Sequence, residues 1–384
     1  MLSRAQSLFD QLVAWRRDLH MHPELGFQET RTAARVAEAL TALGYRVRMG
    51  VARTGVVAER GAGRPIVAVR ADMDALPIQE ANDLPYASQV PGVMHACGHD
   101  AHTAIGLGVA ALLAPESFPG TVRLLFQPSE EAADEAGRSG APRMVEEGAM
   151  EGVERVLALH VDTLFKVGEI GVEAGTVSAG VDSFYATVMG KGGHGSAPQD
   201  VVDPIYIAAH VVLALHGIVS RRLHPWDPAV ISVGAIHAGQ ADNVIPERVE
   251  MCGTIRFMAS EVQQQIHAEI ERALSVARAL GGDYALRFVV GDPPIVNDAE
   301  VTEVLRQVGE DLLGPGSTNS SRHEMGAEDF SSFTALAPGA MFRLGCRGEG
   351  DPRLAHSPTF DVDERCLPIG AAVLAEAALR LLRR

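Results

Sequence analysis

Three apolar runs constrain this chain more than anything else in it. PIVAVRA (65–71), TVRLLFQ (121–127) and VERVLALHV (153–161) are apolar on both faces of an extended strand, and helical patterns at 100–114 and 143–147 lie among them. A strand apolar on both faces has to be covered on both, and strands joined through helices run parallel. The expected fold class is therefore α/β, with a mostly parallel sheet.

From about residue 181 the order of elements changes. DSFYATVMG reads as a strand, 203–220 as a helix, AVISVGAIHAG and VEMCGTIRF as strands, 261–280 as a helix and YALRFVV as a strand. That βαββαβ order is the ferredoxin-like split βαβ arrangement. After Pro293-Pro294 the α/β pattern resumes, with a strand at AMFRLG (340–345) and a long helix to Arg384. The expectation is one α/β domain in two parts, 1–180 and 293–384, interrupted by a ferredoxin-like α+β domain at 181–292.

Charge and cysteine usage narrow the partners. The 384 residues hold 33 Lys and Arg against 49 Asp and Glu, a net −16, and no basic run exceeds two residues. Such a surface repels phosphate backbones, so neither nucleic acid nor an anionic membrane is an expected partner. Cys97, Cys252, Cys346 and Cys366 are widely spaced without a CxxC pair, as in a reducing compartment. The N-terminus is an amphipathic helix (Leu8, Phe9, Leu12, Trp15, Leu19) that contains Asp10 and Arg16-Arg17, unlike a signal peptide. No stretch reaches ~18 uncharged apolar residues, and a cytoplasmic location is expected.

The densest chemistry lies in MHACGHDAH (94–102), which gathers His95, Cys97, His99, Asp100 and His102 at the start of a helix. A thiolate and an imidazole two residues apart can converge on one ion where Gly98 lets the backbone curl, and such ligands suit zinc and other borderline metals. In FQPSEE a buried strand runs straight into Glu130-Glu131. Adjacent carboxylates diverge, so one can bind a metal while the other serves as general base towards a water. Taken alone this stretch also reads as a solvated acidic loop, since Asp134 and Glu135 follow. Its place at the C-terminal edge of a strand, where open α/β sheets bind ligands, favours a site. His160 ends the VERVLALHV strand, Asp72 and Asp74 follow the PIVAVRA strand, and His356 stands in a Pro-bounded loop as either a ligand or a satisfied loop histidine.

The motifs RRDLHMHPELGFQE, RADMDALPI, MHACGHDAHT, FQPSEE, ALH, GKGGHGSAP, DNVIPERVEMCGTIR, GAEDF and HSPTFDVDE occur in the order seen in the amidohydrolase branch of the M20 metallopeptidase family. The chain resembles that branch from about residue 16 to 364. The branch includes hippurate hydrolase, N-acyl-amino-acid amidohydrolases and the plant indoleacetyl-amino-acid hydrolases. The resemblance implies two divalent metal ions per subunit, held by Cys97, His99, Glu131, His160 and His356, with the Cys in place of the wider family's bridging carboxylate. It implies Glu130 as general base. Asp72 falls where the wider family has a histidine ligand and Asp74 where it has a ligand-orienting Asp; which is the supporting acid stays open, with the resemblance leaning to Asp72. The inserted domain would be a lid and dimerisation domain, giving a homodimer or higher homo-oligomer. His194 would stabilise the oxyanion, and Asn243 and Arg256 would hold a substrate carboxylate.

The expected reaction is hydrolysis of an N-acyl amino acid to a carboxylate and a free amino acid, with a carboxypeptidase or dipeptidase as the alternative. Thiolate softness favours zinc, cobalt or nickel, whereas the resemblance raises manganese. The chain departs from the branch at Gln199, where a second histidine is common, in ALHVDTLFKVGEIG, which lacks the usual proline, and in EAADEAGRSGAPRM. These departures bear on specificity. His20 and His22 carry no assigned chemistry. His210, His216, His224 and His267 are expected at the surface, Cys252 and Cys366 in core packing, and Cys346 at a strand end.

Overall fold

The computed structural model describes residues 1–320, 325–350 and 352–384. They form two compact units, one of Met1–Val177, residues 296–320 and Asp329–Arg384, the other of Ser178–Ile295 with residues 325–328.

The first unit is built on an eight-stranded sheet. Its order is Arg46–Val51, Gly55–Ala62, Gly120–Gln127, Ile66–Asp72, Arg155–Lys166, Gly339–Arg347, Ile170–Gly171 and Thr318–Asn319. The four central strands, Gly120–Gln127 through Gly339–Arg347, are mutually parallel. The hairpin Arg46–Val51/Gly55–Ala62 joins this block antiparallel. The three apolar runs are thus the buried parallel centre, and only the short flanks break the pattern. Parallel register sets Asp72 opposite Gln127 at two strand ends and His160 opposite Arg343 midway along theirs; the strand expected to end at His160 continues to Lys166.

Helix His99–Leu113 is buried along almost its whole length, packed between the Ile66–Asp72 strand and the helices Phe9–Met21 and Cys366–Leu382. Helix Phe9–Met21 buries Leu12 and Leu19 as its pattern requires, but also Arg16 and His20. Arg16 reaches Asp100 Oδ2 at 2.7 Å and Asp361 Oδ1 at 2.8 Å, while His20 lies 2.8 Å from Asp100 Oδ2 and 3.2 Å from Glu80 Oε1. This buried ionic cluster fastens the N-terminal helix to the first turn of His99–Leu113, so His20 is structural.

The second unit is a four-stranded antiparallel sheet in the order Ala229–Ala238, Arg248–Phe257, Gly180–Met189, Asp283–Val290. Helices Pro204–Arg221 and Ser260–Leu274 pack against it around a core of its own. Asp203 caps the first of these, accepting from Ile205 N–H at 2.8 Å. The helix expected over 261–280 is divided into Ser260–Leu274 and Val276–Ala279. Pro204–Arg221 is long and apolar enough to cross a membrane by length and composition, although with Arg221 at its end it is not a run of 18 uncharged residues. It buries Ile207, Val211, Leu215 and Ile218 in the unit's core, as a core helix of a globular unit does.

Two smaller expectations also change. His267 is not a free surface residue: Nε2 lies 2.7 Å from the buried Asp182, and the ring stacks on Phe288 at 3.9 Å. Cys252 is half-buried rather than in the core, whereas Cys346 and Cys366 are buried.

Candidate metal centre

The centre is assembled at the C-terminal ends of the parallel strands in the first unit. Gly98, with φ +94°, turns the chain from the Cys97 loop into helix His99–Leu113, a conformation glycine adopts without a Cβ clash. Cys97 Sγ then faces His160 Nε2 at 3.4 Å. Two ligands of one tetrahedral zinc at ordinary bond lengths stand roughly 3.3–3.7 Å apart. His160 donates from Nδ1 to the Val161 carbonyl at 2.8 Å, which leaves Nε2 as a lone pair. Burial holds this ring well below the usual histidine pKa, in its neutral, ligating form.

His99 donates from Nδ1 to the carbonyl and Oδ1 of Asp74, at 2.9 and 3.1 Å. Its Nε2 is buried without a hydrogen-bond partner, 3.6 Å from Asp72 Oδ2 and 3.9 Å from Glu130 Oε2. Burial alone would lower the pKa of this ring, yet Asp72 and the neighbouring Cys97 drive it upward. The field at this nitrogen therefore favours a cation. Asp74 also accepts Glu131 N–H through Oδ2 at 3.0 Å, so one carboxylate orients two residues of the cluster.

Glu131 Oε1 is buried, and its close neighbour is His356 Nε2 at 3.0 Å. His356 adopts φ +61° and donates its N–H to the Ala96 carbonyl at 2.8 Å, tying its loop to the Cys97 loop. Three overlapping triads result: Cys97, His99 and His160; Cys97, Glu131 and His356; and His99, Glu130 and Glu131, each with ligand atoms within 4.8 Å of one another. An orphaned buried nitrogen, a thiol, neutral imidazole and carboxylates together suit a divalent cation. Burial pushes the Cys97 thiol up to about 12, so the thiolate a metal needs has to be drawn out by the ion itself.

A fourth group, Asp72, His99 and His102, fits a cation less well. His102 Nε2 accepts Val161 N–H at 2.9 Å and Nδ1 contacts Asp72 Oδ1 at 2.6 Å, so both ring nitrogens are taken. Arg70 Nη1 reaches Asp72 Oδ2 at 2.6 Å, and its Nε reaches Gln127 Oε1 at 2.8 Å. Although burial opposes it, Arg70 and the two rings hold Asp72 ionised, well below the ordinary carboxylate range. His95 joins none of these groups: burial pushes its ring down to about 4, and neither nitrogen has a hydrogen-bond partner among the described residues.

The remaining expected site residues belong to the second unit. His194 pairs with Val244 across two short strands, and Gly195 N–H donates to the Asn243 carbonyl at 2.8 Å, so His194 and Asn243 are held together. Arg256 lies on the Arg248–Phe257 strand, half-buried, and among the described residues no carboxylate pairs with it. Sequence reasoning placed His102 in the dense motif without giving it a role, and left out Arg70 and Gln127. Arg70 was within reach, since a spacing of two in a strand puts it on the same face as Asp72.

The sequence profile of peptidase family M20/M25/M40 matches residues 68–380. Thermostable carboxypeptidase 2 of Saccharolobus solfataricus is 40% identical, over 97% of this chain and 95% of that protein. The N-acetyl-L-cysteine deacetylase of Bacillus subtilis is 37% identical, over 98% and 89%. A crystal structure of a dinuclear metal binding peptidase of the M20 family from Bacillus subtilis superposes with TM-score 0.87 at 34% identity, covering 98% of this chain and 99% of that one.

Proposed function

The chain belongs to peptidase family M20/M25/M40 and is a hydrolase of amide or peptide bonds; from that premise we propose that it is a metal-dependent amidohydrolase that cleaves N-acyl amino acids to a carboxylate and a free amino acid. The observation that carries this reading is the convergence of His99 Nε2, buried without a hydrogen-bond partner among the described residues, with Cys97, Glu131, His160 and His356, beside Glu130.

Cys97, His99, Glu131, His160 and His356 would hold two divalent ions, manganese or zinc, with nickel or cobalt also suited. Bound there, the ions supply Lewis acidity that acidifies a water and polarises the scissile carbonyl. Glu130 takes the water's proton and returns it to the leaving nitrogen. His102 and Asp74 keep the strand end and the ligand ring in place. Asp72, with both oxygens engaged by His102 and Arg70, acts as a supporting acid through those neighbours.

His194 would donate to the developing oxyanion, and Asn243 and Arg256 would bind the substrate carboxylate. The unpaired, half-buried Arg256 supports an anionic substrate, because burial makes an uncompensated guanidinium seek a counter-charge. The second unit would serve as lid and dimerisation domain, giving a homodimer or higher oligomer in the cytoplasm. The carboxypeptidase relative keeps open a second reading, hydrolysis of peptides, which are themselves N-acyl amino acids.

The test is turnover of hippurate, N-acetyl-amino acids and free dipeptides by protein loaded in turn with manganese, zinc, cobalt and nickel. Faster hydrolysis of the acylated amino acids is expected. Preference for dipeptides with a free amino terminus would replace this reading with the second.

A further inference from the structure

The turn that delivers Glu130 and Glu131 is held in a conformation it would not choose alone. Ser129 has φ +47°, a left-handed geometry that disfavours residues with a Cβ. Every polar group of Ser129 is engaged. Its N–H donates to Glu29 Oε1 at 2.8 Å, its hydroxyl to the Ala132 carbonyl at 2.8 Å, and its own carbonyl accepts Gly140 N–H at 2.8 Å. Two glycines close on the turn from either side. A Cβ on Gly26 would lie 2.3 Å from Ser129 Oγ, and one on Gly140 would lie 1.6 Å from the Pro128 carbonyl oxygen.

Glu29 is fully buried, and the Thr54 hydroxyl donates to its second oxygen at 2.5 Å. Among the described residues no cation pairs with Glu29, and the nearby charge acting on it is that of Asp74. A carboxylate buried without a counter-ion is costly to keep. What it touches instead is the one amide whose residue is strained, directly before the acidic pair. Two residues further on, Asp74 takes Glu131 N–H. The turn is therefore pinned at both ends by carboxylates from different segments.

We propose that Glu29 is a positioning residue for the metal centre, holding Ser129 in the left-handed turn that aims Glu130 and Glu131 at the cluster of Cys97, His99 and His356. Strain at a site is sustained by its surroundings, and here one of the supports, the hydrogen bond to Glu29, comes from a side chain outside the cluster. The inference rests on the roles proposed for Glu130 and Glu131.

The experiment compares Glu29→Ala with the double variant Glu29→Ala/Ser129→Gly, since glycine enters the left-handed region without a Cβ penalty. Manganese and zinc affinities are read by competition with a chromophoric chelator, and kcat and KM on an N-acetyl-amino acid. Loss of an outer-shell support of this kind weakens metal binding about tenfold or more. Glu29→Ala should show that loss together with a fall in kcat and little change in KM, and the added Ser129→Gly should restore most of both. Unchanged affinity and kcat in Glu29→Ala, or a loss that Ser129→Gly does not restore, overturns the proposal. Should Glu29→Ala fail to fold, Thr54→Val loosens Glu29 in place and should weaken metal binding in the same direction; a folded Thr54→Val with wild-type affinity overturns it equally. Glu131→Gln separates the two readings: wild-type metal affinity there refutes the ligand assignment, whatever Glu29 does.

Discussion

His102 presents its Nδ1–H to Asp72 Oδ1 at 2.6 Å because its Nε2 is already occupied by the amide hydrogen of Val161. The ring is thereby fixed in one neutral tautomer. It links the end of one parallel strand, at Asp72, to the middle of the next, beside His160. A histidine from the densest ligand motif thus serves as a brace between strands.

Replacing Asp72 by Asn forces an amide NH2 to face either Arg70 or the Nδ1–H of His102. Breaking a buried, hydrogen-bonded ion pair on one side costs roughly 3–5 kcal/mol. Urea unfolding of Asp72→Asn should show a lower midpoint with an unchanged slope.

Glu130→Gln removes the proposed base while preserving shape. General-base loss lowers turnover by about 10²–10⁴-fold. Steady-state kinetics should show this fall in kcat with metal content unchanged by elemental analysis; near-normal turnover would remove Glu130 from that role.

Cys97 belongs to two of the three triads, so Cys97→Ala should cost metal as well as rate. Elemental analysis should find at least one ion fewer per subunit than in the wild type.

Burial pushes Glu29 from an ordinary 4.5 up to about 7. A carboxyl with a raised folded-state pKa favours folding at acid pH, and that contribution is lost as pH rises towards 7. The stability of Glu29→Gln relative to the wild type should therefore improve between pH 4.5 and 8, by up to roughly 3 kcal/mol. Parallel denaturation curves across that range check the sign, and a gap independent of pH would show that Glu29 is ionised throughout.

Leu213 is 72% exposed and Tyr206 57% exposed on helix Pro204–Arg221. Apolar side chains gathered on one outer face mark an association surface. Leu213→Glu with Tyr206→Glu should convert the proposed dimer to a monomer in light scattering, while the fold measured by circular dichroism stays intact.

What could be read from the chain follows from periodicity and from crowding of chemical groups. The parallel centre of the sheet was legible because strands covered on both faces must be apolar on both. The change at about residue 181 was legible because antiparallel strands alternate. Cys97, His99, Glu130 and Glu131 stood out because they are crowded. Arg16 was not legible as a buried residue, since it sits on an apolar helix face only because Asp100, Asp361 and Glu364 converge there from far along the chain. Glu29 was hidden for the same reason: its meaning lies in Ser129, a hundred positions away. Charge pairing across the sequence leaves no local period.

The five candidate ligands come at positions 97, 99, 131, 160 and 356, and a unit with its own hydrophobic core separates the fourth from the fifth. In chain order the first four come before that unit and the fifth after it. A chain stopped short of that unit would carry four of the five candidate ligands and lack His356. If these five residues do hold the ions, as proposed, the full set exists only once the inserted unit and His356 have both been made.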